Sequence, residues 1–300
     1  MSTIKSYSVG NGDMFYIQHH SDNFTIIDCS LNDENQENIL TELITLQKNA
    51  GITRFISTHP DEDHLRGLEC LDDKLKLVNF YCVKNKATKE EITSSFKRYC
   101  ELRDSDNKAF HISKGCRRKW MNEDDEQRKS SGISILWPNL GNPDFQIALK
   151  TAEEGGSPNN ISPIIQYSLE DGPIVLWMGD LETQFMEKIE KDLELPTGCI
   201  VFAPHHGRDS GKIPITLLEK MAPKLIVVGE APSDQLTYYE GYNTITQNSA
   251  GDIILECETG KAHIFTSNDY DADFLDDYEL PDHSHSYYVG TLNVGKNKKC

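Results

Sequence analysis

The sequence has no C-x-x-C pair, although eight cysteines are spread along it (Cys29, Cys70, Cys82, Cys100, Cys116, Cys199, Cys257 and Cys300). Spacing this loose predicts free thiols, and with no apolar stretch after a basic start at the amino terminus the expected setting is the reducing cytoplasm. No segment approaches the ~18 consecutive apolar residues that span a bilayer, so a soluble protein with no membrane partner is expected. Positive charge is also short: 30 Lys and Arg stand against 48 Asp and Glu, giving a net charge of -18 and a pI near 4.9. A bare phosphodiester backbone is repelled at long range by such a surface, which excludes broad, passive nucleic-acid binding. Catalysis by metals stays open, because carboxylate ligands themselves contribute to the acidity.

The chain of 300 residues is 37% hydrophobic, enough for an ordinary core in one large α/β domain or two smaller ones. Strand-like and helix-like runs alternate. "MFYIQ" and "FTIIDC" read as strands, and "ENQENILTELITLQKNAG" as a helix with Ile39, Leu40, Leu43 and Ile44 on one face. "ITRFIST" and residues 74–84 read as further strands, and "TKEEITSSFKRYCELRDS" as a helix opened by a Thr88/Glu91 capping box. From 104 to 131 the chain turns polar, with Lys114, Arg117, Arg118 and Lys119 beside Trp120, either a surface insertion or a substrate-facing loop.

The second half repeats the alternation. "ISPIIQYSLE" and "GPIVLWMGD" form a hairpin around Asp171-Gly172, "LETQFMEKIEKDLE" is a helix, and "CIVFAPHH" and "KLIVVGE" are strands with the helical "ITLLEKMA" between them. A last hairpin turns at Thr259-Gly260. With no linker, repeat or low-complexity tract, the expectation is one domain over residues 1–300, with an insertion at about 85–131 and a carboxyl-terminal tail at about 268–300. Two sheet-rich halves with helices between them predict an α/β four-layer αββα sandwich, sheets inside and helices outside.

Three segments end an apolar run with ligand-type residues: His59-Pro60-Asp61-Glu62-Asp63-His64, then "WMGD" ending at Asp180, then "APHHG" with His205 and His206. Burying so much charge without a counter-ion is costly, and ligands just past strand ends have rigid backbones while their side chains converge at one sheet edge. His59 and Asp61 alternate along an extended segment with Asp63 and His64 just beyond, a spacing that suits two adjacent ions better than one.

These motifs resemble the metallo-β-lactamase superfamily, whose signature is H-x-H-x-D-H with a later Asp and His. In particular they are similar to the soluble hydrolase domain of the competence DNA-uptake protein ComEC and its stand-alone relatives. "VGNGDMFYI", "TIIDCS", "THPDEDHLRGL", "NNIS", "LWMGDLE" and "VFAPHHGRDSG" carry the resemblance in order over roughly residues 7–265. It implies the metallo-β-lactamase type of the sandwich, with His59 and Asp61 on one metal and Asp63 and His64 on the second. Asp180 would bridge them, one of His205 and His206 would complete the second site, and Asp28 would orient the signature loop. Asn159 or Asn160 falls where many members place another His ligand. Asp61 in place of the usual second His makes the first site richer in oxygen, which favours Mn²⁺, with Zn²⁺ or Mg²⁺ as alternatives.

The implied reaction is hydrolysis through a hydroxide activated by two divalent ions. Asp63 would orient the water, whichever of His205 and His206 is not a ligand would face the leaving oxygen, and Arg208 and Ser210 would contact a phosphate. Three functions compete: a phosphodiesterase or nuclease acting on DNA, a hydrolase of a small nucleotide or cyclic nucleotide, and a non-catalytic protein partner within a larger assembly. The nuclease needs a basic track, for which Lys97, Arg98, Lys114, Arg117, Arg118 and Lys119 are the dense candidates. His283 and His285 are further candidate ligands in the tail.

Overall fold

The computed structural model describes residues 1–280 and 287–295, so the tail histidines His283 and His285 lie outside the described residues. The first half contains β1 (Ser2–Ser6), β2 (Phe15–Gln18), β3 (Asn23–Ile27), α1 (Gln36–Gln47), β4 (Ile52–Ser57), α2 (Glu62–Leu65), α3 (Leu68–Leu75), β5 (Phe80–Cys82), α4 (Ser94–Arg103) and β6 (Ala109–His111). The second half continues with β7 (Ile133–Trp137), α5 (Pro143–Glu153), β8 (Ile164–Ser168), β9 (Ile174–Trp177), α6 (Thr183–Ile189), β10 (Ile200–Phe202), α7 (Ile215–Met221), β11 (Leu225–Val228) and β12 (Thr244–Thr246). It ends with α8 (Gln247–Ala250), β13 (Ile253–Glu258), β14 (Lys261–Thr266) and β15 (Tyr287–Asn293).

Among the described residues the strands form a nine-stranded sheet, in the order β15-β14-β13-β1-β2-β3-β4-β5-β6, and a six-stranded sheet, β12-β11-β10-β9-β8-β7. Because successive strand residues point to opposite faces, each strand serves two layers. Along β4, Phe55 joins an apolar cluster with Leu40 and Leu43 of α1, Leu71 of α3 and Phe96 of α4, while Ile56 joins the cluster that includes Ile165, Leu176 and Val201 of the other sheet. Phe145 of α5, Met186 of α6 and Leu217 of α7 cover the far face of the second sheet. The architecture is therefore the expected α/β four-layer αββα sandwich. No helix among the described residues is long and apolar enough to cross a membrane.

Two local expectations are corrected. The helix after residue 88 begins at Ser94, and its cap is Thr93, whose side chain accepts from the Phe96 N–H. Thr88 is spent elsewhere: its N–H and hydroxyl bond the carbonyls of Ala152 and Glu153 at the end of α5 (3.0 and 2.9 Å), and Ile92 is exposed. Residues 74–84 are not one strand, because α3 runs to Leu75, Lys76 turns the chain with a positive φ and Asp72 Oδ1 accepts the Leu77 N–H (2.8 Å). Only Phe80–Cys82 pair as β5. Apart from these corrections, the insertion and tail each contribute a strand to the main sheet: β6 extends it beside β5, and β15 pairs antiparallel with β14. Replacing Thr93 by Ala should lower stability by about 1 kcal/mol through the lost cap, read as a reduced urea midpoint at unchanged slope.

Candidate metal centre

The parallel pair β3 and β4 ends at one edge of the large sheet, and β2, antiparallel to β3, starts there. This edge therefore receives Asp28 after β3, the 59–64 segment after β4 and Asp13 just before β2. From the second sheet, β9 and β10 run parallel and deliver Asp180 and the 205–206 pair to the same place. An aromatic floor lies among the strands, with Phe15 and Trp177 each in ring contact with Phe202 (centroids 4.9 and 5.3 Å).

Asp28 organises the loop. Fully buried, it accepts the Thr58 N–H at 2.7 Å and the Thr58 hydroxyl at 2.6 Å, and Oδ2 lies 2.9 Å from His64 Nδ1. With Nδ1 held, His64 presents Nε2 to the centre, where Asp180 Oδ1 is 3.1 Å away. The same device recurs at His206, whose Nδ1 is 3.0 Å from Asp13 Oδ1 and whose Nε2 faces Asp63 Oδ2 at 3.5 Å and Asp180 Oδ2 at 3.7 Å. His59 Nε2 is 3.8 Å from both Asp61 Oδ2 and Asp180 Oδ2. Asp180 thus touches every imidazole of the cluster, His205 included, whose Nε2 is 3.6 Å from Asp180 Oδ2.

The residues present fit a metal. His59 Nε2, His64 Nε2, His206 Nε2 and Asp180 Oδ1 are all buried and none makes a well-formed hydrogen bond, the 3.1 Å approach of His64 to Asp180 included, an arrangement that is costly unless something accepts their lone pairs. Ligand atoms of Asp13, His64, Asp180 and His206 lie within 4.8 Å of one another, as a shared ion requires. The sequence reading did not single out Asp13; the signal available was an acid immediately before an apolar strand, in the motif "NGDMF".

Backbone strain is concentrated in the same loops. Asp28, His205 and His206 all adopt positive φ (56°, 53° and 57°), a conformation that non-glycine residues hold only when the surroundings impose it. Gly207 continues the run at φ 87°, and a Cβ there would lie 2.4 Å from Val228 Cγ1. Gly179, at φ 51°, passes between Ser162 and Thr58, and its carbonyl accepts the His205 N–H (3.0 Å), tying the two ligand loops together.

The remaining candidates frame the cluster. Lys89 reaches in from the segment before α4 and pairs with Asp61. Ser210 Oγ is 2.8 Å from His205 Nδ1, and Arg208 donates to Asn11 Oδ1. Asn160 is committed to Glu182, donating to its carboxylate (2.8 Å) and accepting its N–H (3.1 Å), while Asn159 is buried with Oδ1 unpartnered. The basic loop is not brought here. Arg117, Arg118 and Lys119 line a cavity with Ile52, the first residue of β4, whereas His59 follows its last. Lys114 pairs with Glu194, and Arg98 with Asp72 and Asp73.

Without an ion the electrostatics are strongly coupled. Burial and the neighbouring His64 push the His59 imidazole down to about 3. Burial opposes the charge of His64 and His206 too, but carboxylates outweigh it: Asp180 and Asp28 hold His64 well above its ordinary value, and Asp13, Asp63 and Asp180 raise His206 to about 10. Asp180, in spite of burial, is held well below the carboxylate range by His64 and His59. Protons thus stand where a cation would bind.

A divalent ion must displace the His206 proton, so its affinity should rise as pH increases from 6 towards about 10, with proton release seen when binding heats are compared in buffers of different ionisation enthalpy. Asp28→Ala should weaken metal binding by roughly 10–100-fold in a chelator competition, because His64 loses its orienting partner. Lys89→Met, which frees Asp61 of its ammonium, should strengthen binding of a second ion without weakening the first, measured as bound metal per chain.

No family model matches the chain, and no curated protein matches it. Among solved structures it is similar to the DIM-1 metallo-β-lactamase, with 17% identity over 59% of this chain and a TM-score of 0.32; the match spans 64% of the lactamase. It is also similar to a diphosphatase of the PhnP family, with 12% identity over 85% of this chain and 97% of that one and a TM-score of 0.42.

Proposed function

We propose that this protein is a metal-dependent hydrolase whose substrate is a phosphodiester in a nucleotide or short nucleic acid. The observation that carries the reading is the convergence of three imidazole nitrogens and one carboxylate oxygen, all buried and none in a well-formed hydrogen bond, at the edge where both sheets end. His64, His206 and Asp180, with Asp63 and Asp13 beside them, would hold one ion; His59 and Asp61, sharing Asp180, would hold the second. Two divalent ions there supply Lewis acidity, making a nucleophile of water at neutral pH and neutralising charge on the phosphoryl oxygens. Three carboxylates in the donor set and the Asp at position 61 favour manganese, with zinc or magnesium able to replace it.

The chain's own residues complete the chemistry. Asp63, partly exposed and held well below the ordinary carboxylate range, burial notwithstanding, by His206 and His64, orients the attacking water through an acceptor that stays ionised. His205 is more open to solvent than His206 (side-chain exposure 18% against 0%), and Ser210 fixes its ring, so it is the group placed to give a proton to the leaving oxygen. Arg208 and Lys89 are the cations at the rim that can meet the phosphate.

A small substrate suits this rim better than a long duplex. The dense basic loop lines a separate cavity and much of its charge is already paired, so the chain's net charge of -18 opposes a polynucleotide. Cleavage of a dinucleotide and of linear single-stranded and double-stranded DNA by the manganese-loaded protein separates the two substrates; faster turnover of DNA would reverse this preference. His205→Ala should lower kcat for an alkyl phosphodiester by roughly 10²–10⁴-fold, with a much smaller loss for a p-nitrophenyl ester, whose leaving group needs no proton. Equal losses on both esters would remove His205 from the acid role.

A further inference from the structure

A second chemically distinct place lies at the far edge of the large sheet. A cavity of about 380 Å³ is lined there by Tyr81, Arg117, Arg118, Lys119, Trp120 and Glu123. It runs from Ile52, where β4 begins, to Tyr81 of β5, which pairs with Ile56, and none of its lining residues belongs to the metal-ligand cluster.

Its charges do not balance. Arg117 pairs with Glu123 at 2.9 Å, and Lys119 lies 3.8 Å from Asp125. Arg118 has no carboxylate within ion-pair distance among the described residues; its guanidinium rests over the Phe110 ring, 4.9 Å from the centroid. Next to the cavity, Arg54 is completely buried and likewise has no acid partner. Among the described residues its protons go to neutral oxygens: Asn23 Oδ1 at 2.8 Å, Thr25 Oγ1 at 3.1 Å and the Trp120 carbonyl at 2.9 Å, with the Tyr81 hydroxyl beside them. Its Nε has no partner, and its guanidinium sits 5.8 Å from the centroid of the Tyr81 ring that lines the cavity. Burial disfavours the Arg54 charge, the Tyr81 hydroxyl beside it favours it, and the nearby Arg118 disfavours it. A buried guanidinium with Nε unpartnered, beside an exposed Arg118 that has no carboxylate, leaves an excess of positive charge that an anion would relieve.

The aromatic side is also prepared. Trp120 adopts φ 64°, a left-handed conformation unusual for a bulky residue, and its indole is clamped by a hydrogen bond from Nε1 to Asp125 (2.9 Å) and by the Arg128 guanidinium, 4.8 Å from the ring. Cavities of roughly 300 Å³ and above hold small organic ligands, and this volume suits one ring and one phosphate.

We propose that this cavity binds a small planar organic phosphate of mononucleotide size, with the phosphate on Arg118, Arg117 and Lys119 and the ring against Trp120. The site is separate from the metal centre and does not depend on what that centre hydrolyses.

Isothermal titration of AMP, inorganic phosphate and adenosine into the full chain tests it, with Arg118→Ala, Arg118→Lys and His206→Ala beside the wild type. AMP should bind with a dissociation constant below about 1 mM, and phosphate or adenosine at least about tenfold more weakly. Arg118→Ala should weaken AMP by about tenfold or more, Arg118→Lys should recover part of that loss, and His206→Ala should leave it unchanged. Absence of AMP binding at that concentration, binding indifferent to Arg118→Ala, or binding lost in His206→Ala would overturn the proposal. Phosphate binding as tightly as AMP would overturn the assignment of the ring.

Discussion

Everything at the candidate metal centre hangs from one buried carboxylate. Asp28 sits at the end of β3 in a left-handed conformation and spends its oxygens on the N–H and hydroxyl of Thr58 and on His64 Nδ1. In doing so it locks the ends of two parallel strands together and fixes which nitrogen His64 turns to the centre. A fully buried carboxylate is expensive, and burial does raise its pKa; the partners on both oxygens offset that cost. The price of the arrangement is that the loop has no freedom to relax, which is why it can hold His59, Asp61, Asp63 and His64 in one turn.

The second constraint is charge. Around Asp180, three buried imidazoles meet carboxylates from three separate loops, and the protonation of each depends on its neighbours. The pairs His206–Asp13 and His64–Asp28 repeat one logic: a carboxylate on Nδ1 leaves Nε2 facing inward. A bound cation would complete that logic, replacing protons that otherwise occupy the same space. Positive φ at His205, His206 and Gly207 belongs to the same economy, since a relaxed backbone would swing both rings out of reach of Asp180.

Much of this was legible in the sequence because the signature residues are contiguous: once "ITRFIST" is a strand, residues 59–64 must leave its end together, and "WMGD" and "APHH" announce the partners. The alternation of apolar residues likewise pointed to two sheets clothed by helices. What the sequence hid depends on contacts between distant segments. Nothing near Asp13 signals that it will meet His206, 193 positions away, and nothing near Lys89 signals Asp61. The Thr88/Glu91 pattern is a valid local cap, but the end of α5 competes for the Thr88 hydroxyl and Thr93 takes the role. The basic loop was visible as composition, while its position at a separate cavity follows only from the fold.

The measurement that bears most directly on the central claim is re-addition of manganese to metal-stripped protein, following bound metal and hydrolysis of bis(p-nitrophenyl) phosphate in the same samples, for the wild type and Asp180→Ala. The account predicts that activity returns in proportion to bound metal and that Asp180→Ala loses both. Hydrolysis by the stripped protein at the wild-type rate, or undiminished metal binding by Asp180→Ala, would contradict it.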